Sequence, residues 1–288
     1  MLHCTKIDKA FKRLKLRPRV LRNVSHQDIS VTVLGHKLSM PICVSPTSFQ
    51  GMAHPDGELA TVRAVASVDT AMGLSLYSTH SLEDVARESP NTIKFMQMQF
   101  YTDRQLMETL LKRAEKASYK AVLLTVDIPV SKYDNHKLRA NFSLPRHLKF
   151  ANFLPLKRKH GFKDNDELSD YVEGLSDDSV DWEILDWLRS ITSLPFVLKG
   201  ILTAEDARLA VQHGARGILV SNHGGRELDG VPATIEVLAE IAEAGEQGVT
   251  KVLQMLRDEL KVAMALAGCA SLKDITPSLV MRHAASHL

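Results

Sequence analysis

The stretches Leu194-Pro-Phe-Val-Leu-Lys-Gly200 and Gly217-Ile-Leu-Val-Ser-Asn-His-Gly-Gly-Arg226 are short apolar runs, each ending in reactive side chains: Lys199 in one, His223 and Arg226 in the other. Apolar strands that deliver a cation or an imidazole at their C-terminal ends are how an α/β barrel assembles a site. Gly224 and Gly225 remove side-chain bulk where a ligand would approach the backbone.

Similar runs occur upstream at Pro41–Val44, Met72–Tyr77, Phe95–Phe100 and Ala121–Val126, making six with Pro195–Leu198 and Gly217–Val220. They are continuous rather than alternating, as strands buried on both faces should be. Helical patterns separate them. Leu59, Val62 and Val65 share one face, as do Leu106, Leu110 and Ala114, and Ile184, Trp187 and Leu188 follow the same spacing. Ser81-Leu-Glu-Asp84 and Thr203-Ala-Glu-Asp206 read as helix N-termini, where a hydroxyl accepts a first-turn amide. Thr47, Ser75, Gln97 and Thr125 fall 28, 22 and 28 residues apart, and Lys199 and Ser221 are 22 apart. That step is the βα unit of a (β/α)8 barrel.

The expected fold is therefore a single α/β domain over residues 1–288, a TIM-barrel type with six βα units recognisable where eight close a barrel. A long polar insertion at about 131–181 reads as a lid over the site. After Val220 two helical patterns follow, Ile235, Leu238 and Ile241, then Val252, Leu256, Leu260 and Met264, with no apolar strand between them.

Composition excludes several classes. A net charge of +2 offers no polybasic field for nucleic acid, and the basic stretch Lys12–Arg19 reads as a solvated amphipathic entry segment. No apolar run reaches membrane-span length. Three widely spaced cysteines, Cys4, Cys43 and Cys269, suggest neither a disulfide framework nor a zinc site. Ser286-His287-Leu288 is a small–basic–Leu tripeptide of the type that addresses proteins to the peroxisome.

Over roughly residues 9–280 the chain resembles the FMN-dependent 2-hydroxyacid oxidases, the glycolate and long-chain hydroxyacid oxidase group. The carrying motifs are Leu16-Arg-Pro-Arg19, Met40-Pro-Ile-Cys-Val-Ser-Pro-Thr-Ser48, Met52-Ala-His-Pro-Asp-Gly-Glu58, Leu123-Leu-Thr-Val-Asp-Ile-Pro129, Leu198-Lys-Gly-Ile-Leu202 and Ser221-Asn-His-Gly-Gly-Arg-Glu-Leu-Asp229. The resemblance implies an FMN ring across the barrel mouth, with the backbone at Pro46, Thr47 and Ser48 facing it. Ser75, Gln97 and Thr125 would bond its polar edge, and Lys199 would stabilise negative charge developing on it. Alone, Lys199 reads equally as a snorkelling lysine. By the same resemblance His223 is the base, Asp127 orients it, and Arg226 forks onto a substrate carboxylate. The implied reaction takes a 2-hydroxy acid and O2 to a 2-oxo acid and hydrogen peroxide, in a homo-oligomer.

The pattern also departs from the family. Gln99 stands at a substrate-contact position where the family has tyrosine, and Asp134 where it has an arginine. A further N-terminal tyrosine segment is absent, as are the Asp-Gly-Gly-Val-Arg and Gly-Arg-Pro motifs of strands seven and eight, which would cradle the FMN phosphate. The junction falls near Ala244-Gly245. Tyr77 stands where glycolate-preferring relatives have tryptophan. Rival expectations are a catalytically impaired, truncated isoform acting as an oligomerising or non-enzymatic remnant, and another flavin barrel such as an isomerase, against which the spacing of Arg226 speaks.

Overall fold

A computed structural model of the protein describes residues 9–16, 18–129, 143–243 and 280–282. Its strands are β1 (Leu14–Leu16), β2 (Val31–Val33), β3 (His36–Leu38), β4 (Ala71–Leu74), β5 (Ile93–Met98), β6 (Ala121–Thr125), β7 (Phe196–Ile201), β8 (Gly217–Val220) and β9 (Val280–Arg282). The helices used below are α1 (Gly57–Ser67), α2 (Leu82–Glu88), α3 (Arg104–Lys116), α4 (Leu154–His160), α5 (Asn165–Gly174), α6 (Ile184–Ile191), α7 (Ala204–Gln212) and α8 (Thr234–Glu243).

Strands β4 to β8 form one parallel sheet in sequence order. Parallel neighbours need a crossover, and helices supply it between every consecutive pair. Side chains alternate across the sheet. Met72, Leu74, Met96, Met98, Val122, Leu124 and Leu198 face outward into a core completed by Val62 and Val65 of α1, Leu110 and Ala114 of α3, and Leu188 of α6. The intervening residues Ala71, Phe95, Ala121, Leu123, Val197 and Leu219 form a second core on the concave face, closed by Leu38 of β3 with Val31 and Val33 of β2. Burial on both faces is why these strands read as unbroken apolar runs. The expected helix starts are present: Ser81 Oγ accepts from Asp84 N at 3.1 Å, and Thr203 Oγ1 from Asp206 N at 3.1 Å.

The architecture is an incomplete βα barrel. Its first expected strand, Pro41–Val44, is reduced to one parallel bridge between Val44 and Met72. Val44 N donates to Ala71 O at 3.0 Å and Gly73 N donates to Val44 O at 2.8 Å. No parallel strand follows β8 among the described residues. Strand limits differ from the expected runs for local reasons. β4 stops at Leu74 because Ser75 Oγ accepts from Tyr77 N at 3.2 Å, turning the chain. β7 continues past Leu198 to Ile201, with a bulge between Lys199 and Ile201. Two pairings had no expectation in the sequence, β2 with β3 and β1 with β9, both antiparallel. The second turns part of the basic entry segment into a strand.

The insertion expected at 131–181 is described from residue 143 onward. There it carries α4 and α5, and Phe150, Phe153, Leu168 and Val172 join the outer core. Asn152 stitches it to the turn after β4, accepting from Leu82 N at 2.9 Å and donating to Leu76 O at 3.0 Å and Ser78 Oγ at 2.9 Å. Asp134, the Ala244-Gly245 junction, the helical pattern of Val252 to Met264 and the tripeptide Ser286–Leu288 lie outside the described residues.

Candidate active site

Where the concave face runs past its apolar core, the same strands turn polar. Ser75, Gln97, Thr125 and Lys199 are all buried there. Gln97 Nε2 donates to Thr125 Oγ1 at 3.0 Å, while Gln97 Oε1 accepts from Leu76 N at 3.1 Å. Ser75 Oγ lies 3.1 Å from Ser48 Oγ. Thr125 and Lys199 are direct partners across β6 and β7. Parallel register thus lines four sequence-distant polar residues along one rim.

Beyond them is a charged cluster. His223 Nδ1 lies 3.0 Å from Asp127 Oδ1 and 3.2 Å from Lys199 Nζ, and Lys199 Nζ is 3.9 Å from the same carboxylate oxygen. A carboxylate only accepts, so the imidazole donates Nδ1–H to Asp127 and Nε2 remains the acceptor nitrogen. Burial lowers the Lys199 pKa from its ordinary value, with Asp127 opposing that shift. Asp127 Oδ2 is buried with no partner among the described residues. An orphan acceptor of this kind costs on the order of 1–3 kcal/mol, and it is retained beside the imidazole.

Backbone geometry holds the cluster. His223 has φ 54°, and Gly224 and Gly225 follow at 70° and 71°. Left-handed backbone at a non-glycine residue costs on the order of 1–3 kcal/mol and concentrates at functional sites. Here the turn is tied by His223 N to Ser221 Oγ at 3.0 Å and by Gly225 N to Asn222 O at 2.8 Å. Arg226 is exposed at the rim, its Nε donating to His223 O at 3.0 Å. Gly200 supplies a second constraint that was not apparent in the sequence. A Cβ there would fall 2.6 Å from Asp127 Cβ and Cγ, so only glycine admits the carboxylate.

The remaining sequence candidates fall close by. Thr47 and Ser48 line a cleft of about 430 Å³ with Phe49, Gln50, Met52 and His54. Pro46 packs where a Cβ on Gly73 would come within 2.7 Å of its Cγ. Gln99 is buried and donates from Nε2 to Tyr77 Oη at 3.1 Å, which is 3.1 Å from Tyr101 Oη. Glu58 is a further residue whose role the sequence concealed. Its fully buried carboxylate accepts from Gln50 N, Thr79 N and Oγ1, and His80 N at 2.6–3.2 Å, with His80 Nδ1 at 2.9 Å. It fixes the cleft loop to the turn after β4. Its only signal was its place in the motif beginning at Met52.

Comparison with known proteins gives these groups a context. The chain is similar to 2-hydroxyacid oxidase 1 of Mus musculus, 44% identical over 321 aligned residues that take in 95% of this chain and 87% of that protein. It is 45% identical to glycolate oxidase 3 of Arabidopsis thaliana, over 93% of this chain and 84% of that protein. The crystal structure of mandelate oxidase superposes with a TM-score of 0.82 at 30% identity, covering 94% of this chain and 87% of that one. An alignment of 321 positions exceeds the 288 residues present, so the mouse protein carries positions with no counterpart here. The match to the FMN-dependent dehydrogenase family correspondingly comes in two stretches, residues 3–244 and 241–282. With its parallel barrel strands and polar C-terminal rim, the chain belongs to the FMN-dependent dehydrogenase family.

Proposed function

We propose that this chain oxidises (S)-2-hydroxy acids to 2-oxo acids with FMN as its cofactor, O2 being reduced to hydrogen peroxide. The carrying observation is the Asp127–His223–Lys199 cluster beside Arg226 at the strand ends. The substrate loses two protons and two electrons, and O2 takes up both pairs to leave as hydrogen peroxide. FMN, when bound, supplies the two-electron acceptor.

The residues present suit that cofactor. Ser75, Gln97 and Thr125 offer amide and hydroxyl groups along one buried rim, with Lys199 as the adjoining cation. Such a row matches a flat ligand edge of alternating donors and acceptors, and the segment Pro46, Thr47 and Ser48, joined to the row through Ser48 Oγ and Ser75 Oγ at 3.1 Å, would face that ligand through its backbone. His223 Nε2 takes up the substrate proton. Asp127 holds the imidazole in that tautomer and stabilises its protonated form. Arg226, anchored through Nε, keeps its outer guanidinium nitrogens for the substrate carboxylate. Gln99 borders the substrate space. In this reading subunits associate as a homo-oligomer.

An aerobic assay with added FMN and a panel of short and long 2-hydroxy acids tests the proposal. Peroxide and 2-oxo acid released in equal amounts support it; FMN-loaded protein that forms neither sinks it.

A second reading rests on the two-stretch family match and the alignment longer than the chain. Here the chain is a shortened relative with a weakened FMN phosphate site, acting as an oligomerising or non-enzymatic remnant. Retention of stoichiometric FMN through gel filtration would overturn it.

A further inference from the structure

We infer that Lys199 is a positioning residue for the His223 tautomer, so that engaging its ammonium with FMN and preparing the base are one event; this rests on the hydroxy-acid reading above. One imidazole nitrogen has two claimants. His223 Nδ1 lies 3.0 Å from Asp127 Oδ1 and 3.2 Å from Lys199 Nζ. In a neutral ring that nitrogen carries either a hydrogen or a lone pair. The carboxylate only accepts, so it needs the hydrogen, and the ammonium only donates, so it needs the lone pair. The two contacts therefore demand opposite tautomers.

Neither claimant has a substitute among the described residues. Asp127 Oδ2 is buried without a partner, so the Nδ1 hydrogen is the one hydrogen bond its carboxylate receives there. Lys199 Nζ has no other acceptor within hydrogen-bond distance, Asp127 Oδ1 standing 3.9 Å away. The three side chains are 11% exposed at Lys199, 12% at Asp127 and 15% at His223, so an unmet charge is costly. Hydrogen bonds to charged groups carry comparable weights. The shorter contact gives Asp127 the larger share, and Lys199 draws the remainder toward the Nε2–H form. In that form Nε2 has no lone pair with which to act as a base. Register places Lys199 beside Thr125, itself the partner of Gln97, so the ammonium adjoins the rim that suits the polar edge of FMN. An acceptor on that edge satisfies Lys199 and ends its claim on Nδ1. His223 then donates Nδ1–H to Asp127 alone and keeps Nε2 free to take a proton.

The test reads the tautomer directly. Two-bond 1H–15N correlation spectra of histidine-labelled protein are recorded at about pH 8, where an ordinary imidazole is neutral, with His223→Gln identifying the resonances. The Nδ1 shift, between its protonated and unprotonated limits, gives the share of each tautomer. Expected in FMN-free wild type is a mixture with the Nε2–H form at about a tenth or more, and the Nδ1–H form alone once FMN is added. Lys199→Met should show the Nδ1–H form alone with no FMN present, and Asp127→Asn should show the Nε2–H form. Circular dichroism confirms that both variants are folded. Wild type and Lys199→Met with the same tautomer shares in the absence of FMN overturn the inference and leave the hydroxy-acid reading standing. FMN-loaded wild type that shifts to Nδ1–H yet oxidises no 2-hydroxy acid overturns that reading and leaves the hold of Lys199 on the tautomer in place.

Discussion

At the scale of single residues, the site is decided by what Asp127 can touch. Its Oδ1 holds His223 at 3.0 Å, and its position requires the missing Cβ of Gly200 on the next strand. Asp127→Asn should preserve the fold yet lower kcat about a hundredfold or more, since an amide can donate to Nδ1 and favour the wrong tautomer. Steady-state kinetics beside an unchanged circular dichroism spectrum would check this. Gly200→Ala carries a double penalty, a side chain at φ 121° and a clash with Asp127. It should lose on the order of 1–3 kcal/mol in denaturant unfolding together with most activity. Lys199 and His223 were legible because each closes an apolar run with a polar side chain. Gly200 was not, because the atom it avoids belongs to a residue 73 positions earlier, just past the end of β6.

At the scale of elements, local sequence rules held where their partners are local. Ser81 and Thr203 cap α2 and α7 through groups three residues away. Replacing either with alanine should cost about 1 kcal/mol in chemical denaturation, without altering ligand affinity. Glu58 lies on α1 yet serves the loops around it. Burial raises its pKa, but the hydrogen bonds from Thr79 and His80 outweigh that and leave it below the ordinary carboxylate value. A depressed carboxyl pKa contributes stability that is present above the unfolded value and lost as pH falls through the folded one. Melting temperature should therefore fall as pH drops below about 4.5, and Glu58→Gln should blunt that dependence while destabilising the protein at neutral pH. The ends of β4 and β7 departed from the apolar pattern because a serine hydroxyl turned one strand and a glycine bulge extended the other.

For the whole molecule, Lys94 reports on folding. It is buried at the start of β5, its Nζ donating to Ser89 O at 2.6 Å and Thr92 O at 2.8 Å. Burial, aided by Lys120, lowers its pKa to about 8. Between that value and the ordinary value of 10.5 the unfolded chain binds more protons, so this residue makes stability rise with pH across the interval. Lys94→Met should flatten the rise in melting temperature measured from pH 8 to 10. The alternation of strand and helix, the caps and the polar strand ends were set by the sequence, because periodicity and capping depend on residues within a turn or two. Tertiary structure alone decided that Asp127 meets His223 96 residues away, that the Gln99 amide and the Tyr101 hydroxyl both meet the Tyr77 hydroxyl, and that β1 pairs with β9. Most of those contacts join segments that leave the ends of different strands, and sheet register brings those ends together rather than any spacing along the chain.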